Sequence, residues 1–236
     1  MPNPYFRFKQ FTIFHDKCAM KVGVDGVTLG AWADVSRANS ILDVGCGSGL
    51  IALMLAQRSK AEITAVDIDA QCILQSGENI ENSPWKERIS LVHSSFQDFA
   101  ENYSGQFDLI VSNPPFFINS LKNPLQSRAV ARHTDTLLHE DLVKNAKKLL
   151  AENGMFCVIL PVLEGKQFIE LAENEGLICS QKVSVFPNLE KPAKRLLLEF
   201  KNEKTDCHES KITIEKERGV YTDEYRELVK DFYLKL

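Results

Sequence analysis

The stretch from Ser40 to Gln57 constrains the fold more than any other part of the chain. Ile41, Leu42 and Val44 form an apolar run of strand length, Gly45, Gly47 and Gly49 follow at alternate positions, and Leu50, Leu53, Met54 and Gln57 recur at helical spacing. A strand that turns through glycines into a helix makes a ligand site. Glycines admit positive φ and let a ligand approach the backbone closely, and the helix N-terminus offers unpaired N–H groups with a partial positive charge. Asp43, at the end of the strand, faces the same crevice. The loop reads Gly-x-Gly-x-Gly; the Gly-x-Gly-x-x-Gly of dinucleotide binders would require glycine at position 50, where the chain has Leu50. A glycine loop alone is a weak signal, and a tight strand-to-helix turn with no ligand is its alternative reading.

The next strand, Glu62–Val66, ends in Asp67, Ile68 and Asp69. A carboxylate there accepts hydrogen bonds from ribose hydroxyls in doubly wound folds, about 20 residues beyond the glycines, and Ile68 would lie against an adenine. The pattern then predicts a helix over 70–82 and strands over 89–92, 107–111 and 154–160. Helices are expected over 140–150 and 164–175, followed by antiparallel strands over 177–186 and 196–200. Thr222 is expected to cap a last helix. Before the glycine loop, residues 5–15 alternate apolar and polar and slip phase at Lys9 and Gln10, which predicts a hairpin or bulge. Asp25 is expected to cap the helix that follows it. Four βα units and a closing hairpin make an α/β fold. One domain is expected over 1–236, with a β-hairpin extension over about 1–36 and a core over about 37–236.

Among 236 residues the formal net charge is −4, so nucleic-acid binding has no global electrostatic signature and would need local basic groups. The candidates are Arg7, Lys9, Lys17, Arg128, Arg132, His133, Lys191, Lys194 and Arg195. For any one of them, an ordinary solvated charge is the competing reading. The six cysteines form no C-x-x-C pair, which argues against a zinc ribbon or disulfide framework. No metal site is expected. Neither a signal peptide nor a membrane-length apolar run is seen. A cytoplasmic monomer is the expectation.

Asn113, Pro114, Pro115 and Phe116 follow directly on the strand 107–111. Together with the glycine loop and Asp67, they resemble the class I S-adenosylmethionine-dependent methyltransferases that methylate amines. That resemblance implies a Rossmann-like, seven-stranded, mostly parallel sheet with an antiparallel last strand and helices on both faces. It also implies S-adenosyl-L-methionine as cofactor, held by Asp43, Gly45, Gly47, Gly49, Asp67, Ile68 and Asn113. Lys21 and Asp25 would sit at its methionine end, and Ser95 or Phe96 near its adenine, where many relatives carry an acid. The residues of the motif suit amine chemistry. An amine on an aromatic base is a poor nucleophile because its lone pair is delocalised into the ring. The side-chain oxygen of Asn113 and the carbonyl of Pro114, its geometry fixed by the prolines, can accept the N–H bonds and aim the lone pair. Phe116 offers a flat surface for the base.

Three further stretches are similar to the bacterial tRNA1(Val) adenine-N6-methyltransferases: Cys18–Ala33, Asn82–Ile89, and Tyr221–Tyr225 with Asp231–Leu234. The resemblance runs from about Phe6 to Leu234. It implies transfer of a methyl group to the adenine just 3′ of the anticodon, with tRNA as partner and Asn113, Pro114, Pro115 and Phe116 at the reaction. The chain has Val24 where the family usually shows Thr, and Phe116 where many relatives use Tyr. Other readings stay open at this point: another RNA base, a protein glutamine amide, a nicotinamide-linked oxidoreductase, or a catalytically silent RNA-binding module.

Overall fold

The computed structural model describes residues 3–18, 20–115 and 137–236. The phase slip near Lys9 is a hairpin. Strands β1 (Tyr5–Arg7) and β2 (Thr12–Phe14) pair antiparallel, with Phe6 opposite Ile13. The slip lets Phe8, Phe11 and Ile13 all turn inward. Helix α1 (Val24–Trp32) follows, and here the structure corrects the sequence expectation. The cap is Gly23, in extended conformation and with no side-chain bond, so Asp25 falls inside the first turn. Its carboxylate turns away from the helix to meet Arg195.

Five parallel strands form the centre of the sheet: β3 (Ser40–Val44), β4 (Glu62–Asp67), β5 (Ile89–His93), β6 (Phe107–Ser112) and β7 (Leu150–Pro161). They alternate with helices α2 (Leu50–Arg58), α3 (Ala70–Glu81), α4 (Phe96–Asn102), α5 (His139–Leu149) and α6 (Val162–Asn174). Strand β9 (Arg195–Lys201) lies antiparallel between β7 and β8 (Ile178–Asn188). These seven strands are the expected sheet. Two more extend it: β10 (His208–Glu217) pairs parallel with β8, and β11 (Val220–Tyr221) pairs antiparallel with β10. Among the described residues the full order is β11-β10-β8-β9-β7-β6-β3-β4-β5, nine strands where seven were expected. The last helix, α7 (Asp223–Val229), is capped as expected: Thr222 Oγ1 accepts from Tyr225 N.

Both faces of β3 are covered, which is why its apolar run is continuous. Ile41 joins a cluster with α1, α2, the hairpin and α7. Leu42 and Val44 join a second cluster with α4, α5 and α6. Asp43 points to the α2 side, where Ile41 also points, and is fully buried.

One buried side chain ties the hairpin to this core. Asn79 on α3 is 1% exposed. Its Oδ1 accepts from Phe14 N at 2.9 Å, and its Nδ2 donates to Phe14 O and to Ser48 O, both at 2.8 Å. Strand β2, helix α3 and the glycine loop therefore meet at one amide. Asn79→Ala leaves those three backbone groups unpaired and is expected to lower stability by roughly 1–3 kcal/mol, read by urea unfolding. A variant as stable as the parent would show that solvent replaces the amide at no cost.

Candidate active site

The carboxyl ends of β3, β4 and β6 lie side by side, with Val44 registered against both Val66 and Ser112. An open α/β sheet receives its ligands at this edge. The backbone holds the glycine loop there: Gly45 N and Cys46 N both donate to Val66 O, at 2.8 and 3.1 Å. Gly45 and Gly47 take positive φ, 71° and 54°. A Cβ on either would meet nothing within 4 Å, so both face open space. Gly49 has a different task. It caps α2 at φ 80°, and a Cβ there would lie 3.2 Å from Ser76 Cβ on α3.

Asp67 ends β4 and fastens the loop. Its Oδ2 accepts from Gly47 N at 2.7 Å and its Oδ1 from Asp69 N at 2.9 Å. Each oxygen keeps a further lone pair, so the carboxylate can still receive two hydroxyl donors. Asp43 is placed otherwise. Its Oδ2 accepts from Ala52 N at 3.0 Å, while its Oδ1 is buried without a partner. Burial pushes its pKa from the ordinary 3.8 up to about 7; the bond from Ala52 opposes the shift, and the nearby charge of Asp67 adds to it.

Asn113, just past β6, has the same signature: its Oδ1 is buried and has no hydrogen-bond partner. It lines a cavity of about 350 Å³ together with Gly45, Gly47, Leu50, Lys21, Asp25 and Arg195. The Nε of Arg195 donates to Asp25 Oδ2 at 2.7 Å across its wall. Close packing of α1 shapes the floor. A Cβ at Gly26 would lie 3.1 Å from Leu50 Cδ2 and 4.0 Å from Asn113 Nδ2. A glycine cradle with open space, a carboxylate with free lone pairs and an unpaired amide oxygen fit a nucleoside-bearing cofactor with an amine substrate beside it. No helix among the described residues is long and apolar enough to cross a membrane.

Of the described residues marked from sequence, Lys21, Asp25, Gly45, Gly47, Asn113 and Arg195 line this cavity; the others do not, Asp43, Gly49 and Asp67 among them. Ile68 is 40% exposed next to Asp67 and lies outside the cavity lining. Ser95 caps α4 and is occupied with Asp98: it accepts from Asp98 N at 3.0 Å and donates to Asp98 Oδ2 at 2.7 Å. The Phe96 ring is buried in the core, which leaves only its backbone for a ligand. Pro114 is buried and Pro115 exposed; Phe116 lies outside the described residues. So do Arg128, Arg132 and His133. Of the other basic candidates, Lys17 is paired with Glu78, and the ammonium of Lys9 donates to Lys230 O. Arg195 sits in the cavity wall, while Arg7, Lys191 and Lys194 are exposed. Sequence reasoning missed Cys46, Ser48 and Ile51, which also line the cavity. Their place within and just after the glycine loop was the available signal.

Fold and site define a class I methyltransferase. The family model described as methyltransferase small domain matches residues 29–174. A predicted O-methyltransferase from Agrobacterium tumefaciens shares the fold, with a TM-score of 0.68 at 18% identity, over 88% of this chain and 96% of that one. A protein of Parabacteroides distasonis named tRNA1(Val) (adenine(37)-N6)-methyltransferase is 49% identical over 100% of both chains. Its namesake in Trichodesmium erythraeum is 50% identical over 98% of both. The chain belongs to the tRNA1(Val) (adenine(37)-N6)-methyltransferase family.

The raised pKa of Asp43 has a measurable consequence. Between about pH 4 and 7 the folded chain keeps a proton that the unfolded chain has lost. The stability this group contributes is therefore lost as pH rises through that window, and the unfavourable buried charge is fully present above it. Asp43→Asn cannot ionise, so its melting temperature is expected to gain on the parent's from pH 5 through about pH 7 and to level off towards pH 8. Thermal unfolding of both chains across that range is the check; a difference independent of pH would contradict the assignment.

Proposed function

We infer that this chain transfers the methyl group of S-adenosyl-L-methionine to the exocyclic N6 of adenine 37 in tRNA1(Val), as the names of its relatives describe. The observation that carries the reading is Asn113, whose Oδ1 is buried without a partner on the wall of the glycine-loop cavity. A buried acceptor left unpaired beside a glycine cradle is a place for a donor, and an aromatic amine is a donor of the right kind.

The cofactor, when bound, supplies a methyl already activated by its sulfonium. The chain's own residues do the rest by positioning. Asp67 receives the ribose hydroxyls, and Gly45 and Gly47 let the backbone approach the ligand. Lys21, Asp25 and Arg195 line the same cavity and are the groups we assign to the methionine end. Asn113 Oδ1 and the Pro114 carbonyl accept the N–H bonds of the adenine amine and turn its lone pair out of conjugation. Phe116, two residues beyond Pro114 in sequence, is the residue we assign to stacking on the base. No Asp, His or Cys base is required, because the amine loses its proton after transfer. The reading carries a cytoplasmic location with it, since that is where tRNA is matured. Exposed Lys191 and Lys194 are the groups we assign to docking the RNA.

Asn113→Ala is expected to slow single-turnover transfer to an anticodon stem-loop by on the order of a hundredfold, by analogy with removal of one transition-state hydrogen-bond partner. Cofactor affinity, read by calorimetry, should change little, because the lost contact belongs to the transition state. A stem-loop carrying the deaminated base at the target should accept no methyl. Undiminished transfer by the variant, or equal methylation of the deaminated base, would place the reaction at another atom.

A further inference from the structure

A second concavity, of about 450 Å³, opens beside the catalytic cavity. It lies between the N-terminal hairpin and the C-terminal segment, and Gly23 and Val24 line both spaces. Its walls include Phe6, Arg7, Tyr221, Tyr233 and Lys235. The rings are held in place rather than scattered. Tyr233 stands 5.8 Å from Phe6 and 6.0 Å from Tyr221, the latter pair within 20° of parallel. A backbone bridge from Phe8 to Tyr233 and the bond from Lys9 N to Phe232 O, 2.8 Å, lock the hairpin to the C-terminal segment. Tyr225 on α7 reaches the same region from below, its hydroxyl 3.1 Å from Thr28 Oγ1 on α1.

We propose that this groove binds one unstacked nucleotide of the substrate RNA next to the target adenine. The proposal rests on the tRNA reading above and extends it to a specific subsite. Three observations on this surface favour that occupant. Phe6 is 37% exposed and Val24 43%, so flat apolar surface remains available to a ligand. In a chain of net charge −4, the lining carries two cations, Arg7 and Lys235, and no acid. The groove shares Gly23 and Val24 with the cavity that holds Asn113, which puts a nucleotide next to a base everted into that cavity within its reach. Single-stranded RNA is read in this way, by bases splayed onto aromatic rings with cations at the phosphates. The groove thus explains what the Tyr221–Tyr225 and Asp231–Leu234 stretches do: they build its wall.

The test is an abasic scan of the anticodon stem-loop, one nucleotide at a time around the target adenine, with methyl transfer measured under kcat/KM conditions. In the wild-type chain one flanking abasic substitution should lower kcat/KM roughly tenfold, the worth of one base–aromatic stack. Phe6→Ala should lose a similar factor on intact RNA and become insensitive to that same abasic site, a coupling that independent sites would not show. Phe6→Trp, which restores a stacking face, should recover both the rate and the sensitivity. Cofactor affinity and melting temperature serve as the fold control for each variant. Phe6→Ala acting like wild type, or a variant that loses rate yet keeps full sensitivity at every abasic position, overturns the groove assignment while leaving the methyltransferase reading intact. A wild-type chain that methylates no tRNA overturns both.

Discussion

The site depends on how the glycine loop is fastened to the end of β4. Two backbone donors, Gly45 N and Cys46 N, share the carbonyl of Val66, and the next residue of that strand, Asp67, takes the N–H of Gly47. A loop with three residues at positive φ has few conformational restraints of its own. These three bonds give it one shape, and the shape leaves an open face where a Cβ at Gly45 or Gly47 would touch nothing. The same carboxylate that fixes the loop also points lone pairs at the cradle. Under the proposed function, cofactor binding and loop geometry are coupled through Asp67.

The second constraint is electrostatic. Asp43 lies fully buried one layer below the loop, with a single hydrogen bond and a carboxyl oxygen left unpaired. Water cannot stabilise its charge, so the group holds its proton close to neutrality. A site that keeps Asp43 near neutral and Asp67 in contact with backbone donors separates the two carboxyls by environment. Asn113 follows the same logic with no charge involved. An unpaired amide oxygen is costly when buried, and such groups tend to mark places where a ligand completes the bonding.

Much of this was legible in the sequence. Apolar strands followed by amphipathic helices fix βαβ order by periodicity, so β3 to β7 fell where the pattern placed them, as did α2, α3, α5 and α6; the short helix α4 was not expected. Asp43, Gly45, Gly47, Asp67 and Asn113 were visible because each sits at the end of a strand. The misses have physical reasons. Strand β10 carries charged and polar residues along most of its length and buries only Ile212, so nothing in its composition marks a strand; its pairing with β8 makes it one. Asp25 has the composition of a helix cap, but Gly23 needs no side chain to take the extended cap position, and a long-range partner, Arg195, claims the carboxylate. That partner is 170 residues away in sequence, beyond any local pattern. Asn79 likewise reads as an ordinary helix residue until β2 and Ser48 are brought to it.

The central claim is that the crevice at the ends of β3, β4 and β6 methylates an adenine amine of one tRNA. It is tested most directly by incubating the chain with bulk tRNA and a methyl donor carrying an isotopically labelled methyl, then mapping the label by nuclease digestion and mass spectrometry. The account predicts label on N6 of adenine 37 in tRNA1(Val), with none on guanine N2 and none on protein glutamine. Label on another nucleotide or on protein, or no label in any tRNA, would contradict it.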